Sequence, residues 1–308
     1  MTVHPVTRIS PVLLKRTKWS AQRRYGLLSY SFLLLSNNEF AADRVDDVLG
    51  KFTIPPGEVE DGQVYRLLDL GPGEPRRYRL FRKEKQLIGS PWLVDVIFQL
   101  MMQTMQSMID RNGDFLLIHA GAVVAPGGKG ILIPAASGSG KTTLVTALVR
   151  TGYGFLSDEM GVIHPSTLQL HPFPRALNLK DGTLALFPDL RPNDEGLWGV
   201  RSRAFAPVEM VRSGSEAPAS DLTLVVAPRY RPGTKTELIP LSRAETTKEL
   251  WEAATNVSRF GGRALPTLAE ISTRAPGYRL ISSDVDDAVA VVRKLAEGPV
   301  NVPDASEF

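Results

Sequence analysis

The sequence contains no cysteine. That absence removes disulfides, thiol nucleophiles and cysteine-ligated zinc from consideration, and it fits a reducing cytoplasm. Histidine is scarce, with four residues, and His4, His164 and His171 show no ligand spacing, so zinc is not expected. An excess of one charge is also lacking. The 36 Lys and Arg against 33 Asp and Glu leave +3, too little to imply a nucleic-acid partner. Long hydrophobic runs are missing: residues 27–35 are too few to span a bilayer, and residues 92–109 are interrupted by Asp95, Gln99, Gln103 and Gln106. The opening residues lack a signal-peptide layout, so a soluble, cytoplasmic protein is expected, with no membrane partner. Repeats and low-complexity segments are absent.

What the sequence does have is GILIPAASGSGKTTLVTALVR at residues 130–150. The β-branched run Gly130-Ile-Leu-Ile-Pro134 suits a buried strand. Leu144, Val145, Leu148 and Val149 fall on one face of a helix that begins near Lys141. Between them, the backbone N–H groups of Ala136, Ser137, Gly138, Ser139, Gly140, Lys141, Thr142 and Thr143 can curl around an anion, helped by the positive end of the helix dipole. The pattern is G-x-x-x-x-G-K-[ST] with Ala135 in place of the first glycine. It predicts a nucleotide triphosphate, with Lys141 neutralising β/γ charge and the Thr142 hydroxyl holding Mg²⁺.

Around this segment the chain reads as an α+β domain over residues 1–112 and a phosphate-loop domain over residues 113–308. In the first, residues 1–20 read as a flexible arm, 25–35, 63–70 and 77–88 as strands, 51–61 as a loop, and 41–49 and 92–109 as helices. The methionines of the second helix read as core filler. In the second domain, strands are expected at 115–118, 122–125, 130–134 and 154–157. A hairpin follows over 161–171, then loops over 172–200, strands at 222–227 and 237–239, and helices at 243–256 and 285–295.

Asp158 and Glu159 follow the expected strand at 154–157, one right-handed crossover beyond the loop. Carboxylates there would face a Mg²⁺–phosphate group, to hold the metal or accept a proton from an attacking hydroxyl. Arg175, Lys180, Arg229 and Arg231 are candidate cations for a transferring phosphate. His119 reads locally as either a hydrogen-bonded structural group or a site residue.

Several stretches together resemble one family: HAGAVV (119–124), ILIPAASGSGKTTL (131–144), GFLSDEMGVI (154–163), PRALNLK (174–180), VVAPRYRPG (225–233) and DVDDAV (284–289). They are similar to the P-loop domain of bacterial HPr kinase/phosphorylase and, more remotely, of phosphoenolpyruvate carboxykinase, over about residues 113–295. The resemblance implies an α/β kinase domain with a mixed sheet, beside the small N-terminal α+β domain. It also implies ATP and Mg²⁺, phosphate transfer to a serine hydroxyl, and a homo-oligomer. Asp158 matches the family's catalytic carboxylate, the base for the acceptor. Glu159 matches its second acidic position, a metal ligand with Asp158 and Thr142, and His119 the histidine lining the site; Arg229 is expected to line it too.

Three features depart from the family pattern. Ala135 replaces a glycine, Asp-Glu replaces Asp-Asp, and no R-G-L-G segment follows the acidic strand. Relatives of this type resemble kinases found beside ribosomal-peptide pathways, including lasso peptides, so a peptide or small-protein acceptor is expected by analogy. Two alternatives stand beside this reading. One is a nucleotide-gated regulatory NTPase, since Asp158-Glu-Met-Gly161 fits D-x-x-G. The other is a small-molecule hydroxyl kinase on the same chemistry.

Overall fold

A computed structural model describes residues 11–57, 63–136, 138–191 and 203–298. The chain divides into two units, residues 1–108 with 192–204 and residues 109–191 with 205–308. The architecture is mixed α/β, and no helix among the described residues is long and apolar enough to cross a membrane. Half of the expected N-terminal arm, part of the 51–61 loop, residues 192–200 and Ser137 lie outside the described residues.

The first unit begins with α1 (Pro11–Arg16), a helix where the sequence suggested a flexible arm. Strands β1 (Ala21–Leu27), β2 (Tyr30–Ser36), β3 (Val64–Asp69), β4 (Tyr78–Arg82) and β5 (Lys85–Ser90) form a sheet in that order, with only β2 and β3 parallel. Two runs expected as single strands fold back on themselves. Residues 25–35 reverse at Leu28 (φ 50°) and residues 77–88 at Lys83 (φ 55°). Neither turn carries the Gly or Asn that normally marks positive φ. Helix α2 (Glu39–Leu49) starts where the Asn38 side chain accepts the Ala41 N–H at 3.2 Å. Helix α3 (Leu93–Arg111) buries Met101, Met105 and Met108 and leaves Met102 exposed.

The second unit carries β6 (Leu116–Val124), β7 (Gly130–Pro134), α4 (Lys141–Arg150), β8 (Gly154–Ser157), β9 (Met160–Ile163), β10 (Gln169–His171), β11 (Leu177–Lys180) and α5 (Asp181–Leu186). After β12 (Arg203–Ala206) come α6 (Val208–Val211), β13 (Ser220–Tyr230), β14 (Glu237–Leu241), α7 (Arg243–Ala253), α8 (Val257–Phe260), α9 (Ala264–Arg274), β15 (Gly277–Ser282) and α10 (Val285–Glu297). Strands β7, β13 and β15 are parallel neighbours, while β6 and β14 flank them antiparallel. The pairings β6–β7, β7–β13, β13–β10, β10–β9 and β9–β6 close a ring of five strands.

Residues 115–125, expected as two strands, are one. Gly121 does not break it; a Cβ there would lie 2.5 Å from Val145 Cγ2, so the glycine lets α4 pack directly on the sheet. Alternate residues of β6 (Leu116, Ile118, Ala120, Ala122) join Leu132, Ile163, Leu170 and Leu222 in the core, and Leu117 and Val123 on the other face are buried too, so both faces of the strand are covered.

The start of β6 is held by a buried side chain far along the chain. Asn256 accepts the Leu117 N–H at 2.9 Å and donates to the carbonyls of Asn112 (3.0 Å) and Phe115 (2.9 Å). Asn256→Ala would strand the Leu117 N–H and the Asn112 carbonyl, while the Phe115 carbonyl keeps the Asn112 side-chain amide at 2.7 Å, and an unsatisfied buried group costs about 1–3 kcal/mol. Urea unfolding is expected to show a loss of about 3 kcal/mol with an unchanged slope. A loss below about 0.5 kcal/mol would mean that water replaces the amide at no cost.

Candidate functional site

Strand β7 delivers the chain to the loop at Pro134. Ala135 does not adopt positive φ, so alanine is unstrained at the position where the motif has glycine. Gly138 (φ 88°) and Gly140 (φ 89°) are the residues that need the freedom of glycine. Ser139 closes the turn by donating its hydroxyl to the Ala136 carbonyl at 2.8 Å. Gly140 then leads into α4 without a side-chain cap, which leaves first-turn N–H groups for an outside acceptor.

Strand β8 ends at Ser157 as expected, and Asp158 and Glu159 follow it. Beyond the pair, β9 continues antiparallel along β6, which the sequence did not show. Ala120 N–H reaches the Glu159 carbonyl at 3.2 Å. The two residues form a bend between two strands that pair with the same neighbour. Ser157 holds it, its hydroxyl accepting the N–H groups of Glu159 (3.2 Å) and Met160 (2.9 Å). In a straight strand, neighbouring side chains point to opposite faces; here both carboxylates approach one guanidinium. Arg175 Nη2 lies 3.5 Å from Asp158 Oδ1 and 3.3 Å from Glu159 Oε2.

Lys141 joins the loop to this bend by donating its ammonium to the Asp158 main-chain carbonyl. The Asn178 N–H donates to Asp158 Oδ2 at 3.2 Å, and His119 Nδ1 lies 3.3 Å from Glu159 Oε1. The two side chains differ in access, Asp158 being 1% exposed and Glu159 32%. Burial raises the Asp158 pKa above the usual carboxylate range, against the pull of Arg175 and Lys141. Burial also acts upward on Glu159, but the His119 hydrogen bond and the charges of Arg175 and Lys141 outweigh it and bring the group down to about 2. Burial likewise lowers Lys141, opposed by Glu159 and Asp158.

The structure therefore brings together Lys141, Asp158, Glu159 and His119 from the expected set. It does not bring Arg229 there. That guanidinium pairs with Glu249 on α7 at 2.6 Å, with Arg279 on the other carboxylate oxygen at 2.8 Å. Strand alternation explains this, since Tyr230, the next residue along, is the one beside the loop. Arg175 occupies the place expected of Arg229. Its sequence signal, one arginine in PRALNLK, was equal to that of three other cations. Ser157, the Asn178 N–H and Tyr230 were not singled out from sequence, although Ser-Asp-Glu is the order a hydroxyl-supported bend requires.

The loop residues suit a polyphosphate: two glycines at positive φ, an uncapped helix start and a lysine reaching the acidic bend. Among the described residues no three His, Asp or Glu converge as a metal cage. Magnesium is ordinarily held by one or two carboxylates together with substrate phosphates, and Thr142, Asp158 and Glu159 are of that kind. No family model and no curated protein matches the chain. Among solved structures it is similar to the Hpr(Ser) kinase/phosphatase from Coxiella burnetii, with 9% identity and a TM-score of 0.27, over 58% of this chain and 92% of that one.

Proposed function

We propose that the chain is an ATP- and Mg²⁺-dependent kinase that phosphorylates a serine or threonine hydroxyl of a peptide or small protein. The observation that carries this reading is the junction of loop and acidic bend: Lys141, first residue of the loop helix, bonds to the backbone of Asp158. A phosphate held by the loop would then lie beside two carboxylates, an arginine and a histidine, the group set that phosphoryl transfer uses.

Lys141 and the loop N–H groups, those of Ala136, Gly138, Ser139, Gly140, Thr142 and Thr143 with Ser137, hold phosphate oxygens. Magnesium, when bound, supplies neutralisation of charge on the terminal phosphates. Thr142, the ionised Glu159 and Asp158 would hold it. Asp158, whose pKa is raised, takes the proton from the acceptor hydroxyl. Arg175 stabilises charge on the transferring group, and His119 keeps Glu159 oriented. The acceptor class, including a ribosomal precursor peptide, rests on the resemblance of the sequence motifs.

The test is mass spectrometry of candidate acceptor peptides incubated with the chain, ATP and Mg²⁺. One added phosphate, lost in Lys141→Ala by at least about 10²-fold in rate, is expected. Nucleotide hydrolysis without any acceptor modification would replace the kinase by an NTPase.

A further inference from the structure

The loop has two sides, and the chemistry beside it tells them apart. The strand order β8–β6–β7–β13 places the acidic bend on one side of β7 and the end of β13 on the other. Lys141, Asp158, Glu159, His119 and Arg175 gather on the first side. The phosphate that reacts belongs there. The other end of a nucleotide, its nucleoside, then faces β13.

Tyr230 stands at that end of β13. Its N–H donates to the Ser139 carbonyl of the loop at 3.1 Å. Its Cβ is 3.5 Å from the place a Cβ on Gly140 would occupy. The residue is nevertheless 55% exposed, the highest value among the large hydrophobic side chains of the described residues together with Leu265. A lone exposed aromatic ordinarily needs no explanation. This one is different because its backbone is tied to the loop itself, which fixes its Cβ beside the loop while the side chain remains open. Every nucleobase offers a π-face, and stacking on an aromatic side chain is tolerant of which base it is. The neighbouring Arg229 is turned away and engaged by Glu249, so it does not compete for the same place.

We propose that Tyr230 is the nucleoside platform of this chain, stacking on the base of the bound nucleotide. The inference rests on the nucleotide-binding reading above. It adds that the base is held by ring contact rather than read by hydrogen bonds, so ATP and GTP bind alike.

Calorimetric titration of the full chain with Mg²⁺ separates the two readings, using ATP, GTP and inorganic triphosphate as ligands. Tyr230→Ala is expected to weaken ATP and GTP by about tenfold and to leave inorganic triphosphate unchanged. Tyr230→Phe, which keeps the ring, is expected to bind ATP within about twofold of the parent chain. Equal weakening of all three ligands in Tyr230→Ala would show that the residue only shapes the loop, and no weakening of any would remove it from the site; either result overturns the platform. A parent chain that binds triphosphate but gains nothing from the nucleoside also overturns it and leaves the loop standing. Binding of none of the three by the parent chain would remove the kinase reading and the platform together.

Discussion

Asp158→Asn is expected to slow phosphate transfer by about 10³-fold while nucleotide affinity stays unchanged, because a general base contributes about 10²–10⁴. Asparagine keeps the shape and can still accept the Asn178 N–H, which lies 3.2 Å from Asp158 Oδ2. What it loses is basicity. Of the two carboxylates, Asp158 has its pKa raised by burial and can hold a proton nearer neutrality. Glu159, brought to about 2, is a poor proton acceptor and a durable anion, which suits a metal ligand. Glu159→Gln should therefore raise the Mg²⁺ concentration needed for activity. Single-turnover kinetics with separate nucleotide titrations check both. Full activity in Asp158→Asn, with loss only in Glu159→Gln, would exchange the two roles.

The second large effect is on stability. Arg175→Ala is expected to destabilise the chain by about 3 kcal/mol, since removing one partner of a buried ion pair leaves an uncompensated charge. Both Arg175 and Asp158 side chains are 1% exposed, so water does not substitute for the lost guanidinium. The loss falls at the low end for such pairs because the Lys141 charge also acts on this carboxyl group. Arg175→Ala combined with Asp158→Asn distinguishes charge from packing. With the buried charge gone, the double variant should be more stable than Arg175→Ala alone, a coupling of at least about 1 kcal/mol in denaturant unfolding. Simple additivity of the two losses would mean that Arg175 acts by filling space.

The loop was legible from sequence because its requirements are local. Glycines at Gly138 and Gly140, a lysine, a threonine and a helical apolar period all fall within a few residues. Its neighbour, the acidic pair, was legible as chemistry but not as shape. Whether Asp158-Glu159 ends a strand or bends one depends on β9 continuing along β6, a pairing of residues about 40 apart. The selection among four candidate cations was not legible at all, since Arg175 and Arg229 differ only in what the fold puts beside them. The hairpins at Leu28 and Lys83 escaped for the opposite reason: their local sequence favours an uninterrupted strand, and tertiary pairing overrides it. Helix α9 and strand β15 had no assignment from sequence. Pro266 obscures the period of the first, and Gly277, where a Cβ would meet Thr246 of α7, obscures the start of the second.

The bond from Asn256 to the start of β6 has a consequence for the order in which the protein is made. The two partners are separated by 139 residues. At about 5–20 residues per second, a ribosome needs on the order of ten seconds to add that length. During this interval the strand that carries His119 has emerged without the amide that satisfies its first turn of backbone. The loop, its helix and the acidic bend are all translated within the same interval, before β13 and Asn256 exist to complete their surroundings. The start of β6 thus waits for a contact distant in sequence, the kind that forms slowly.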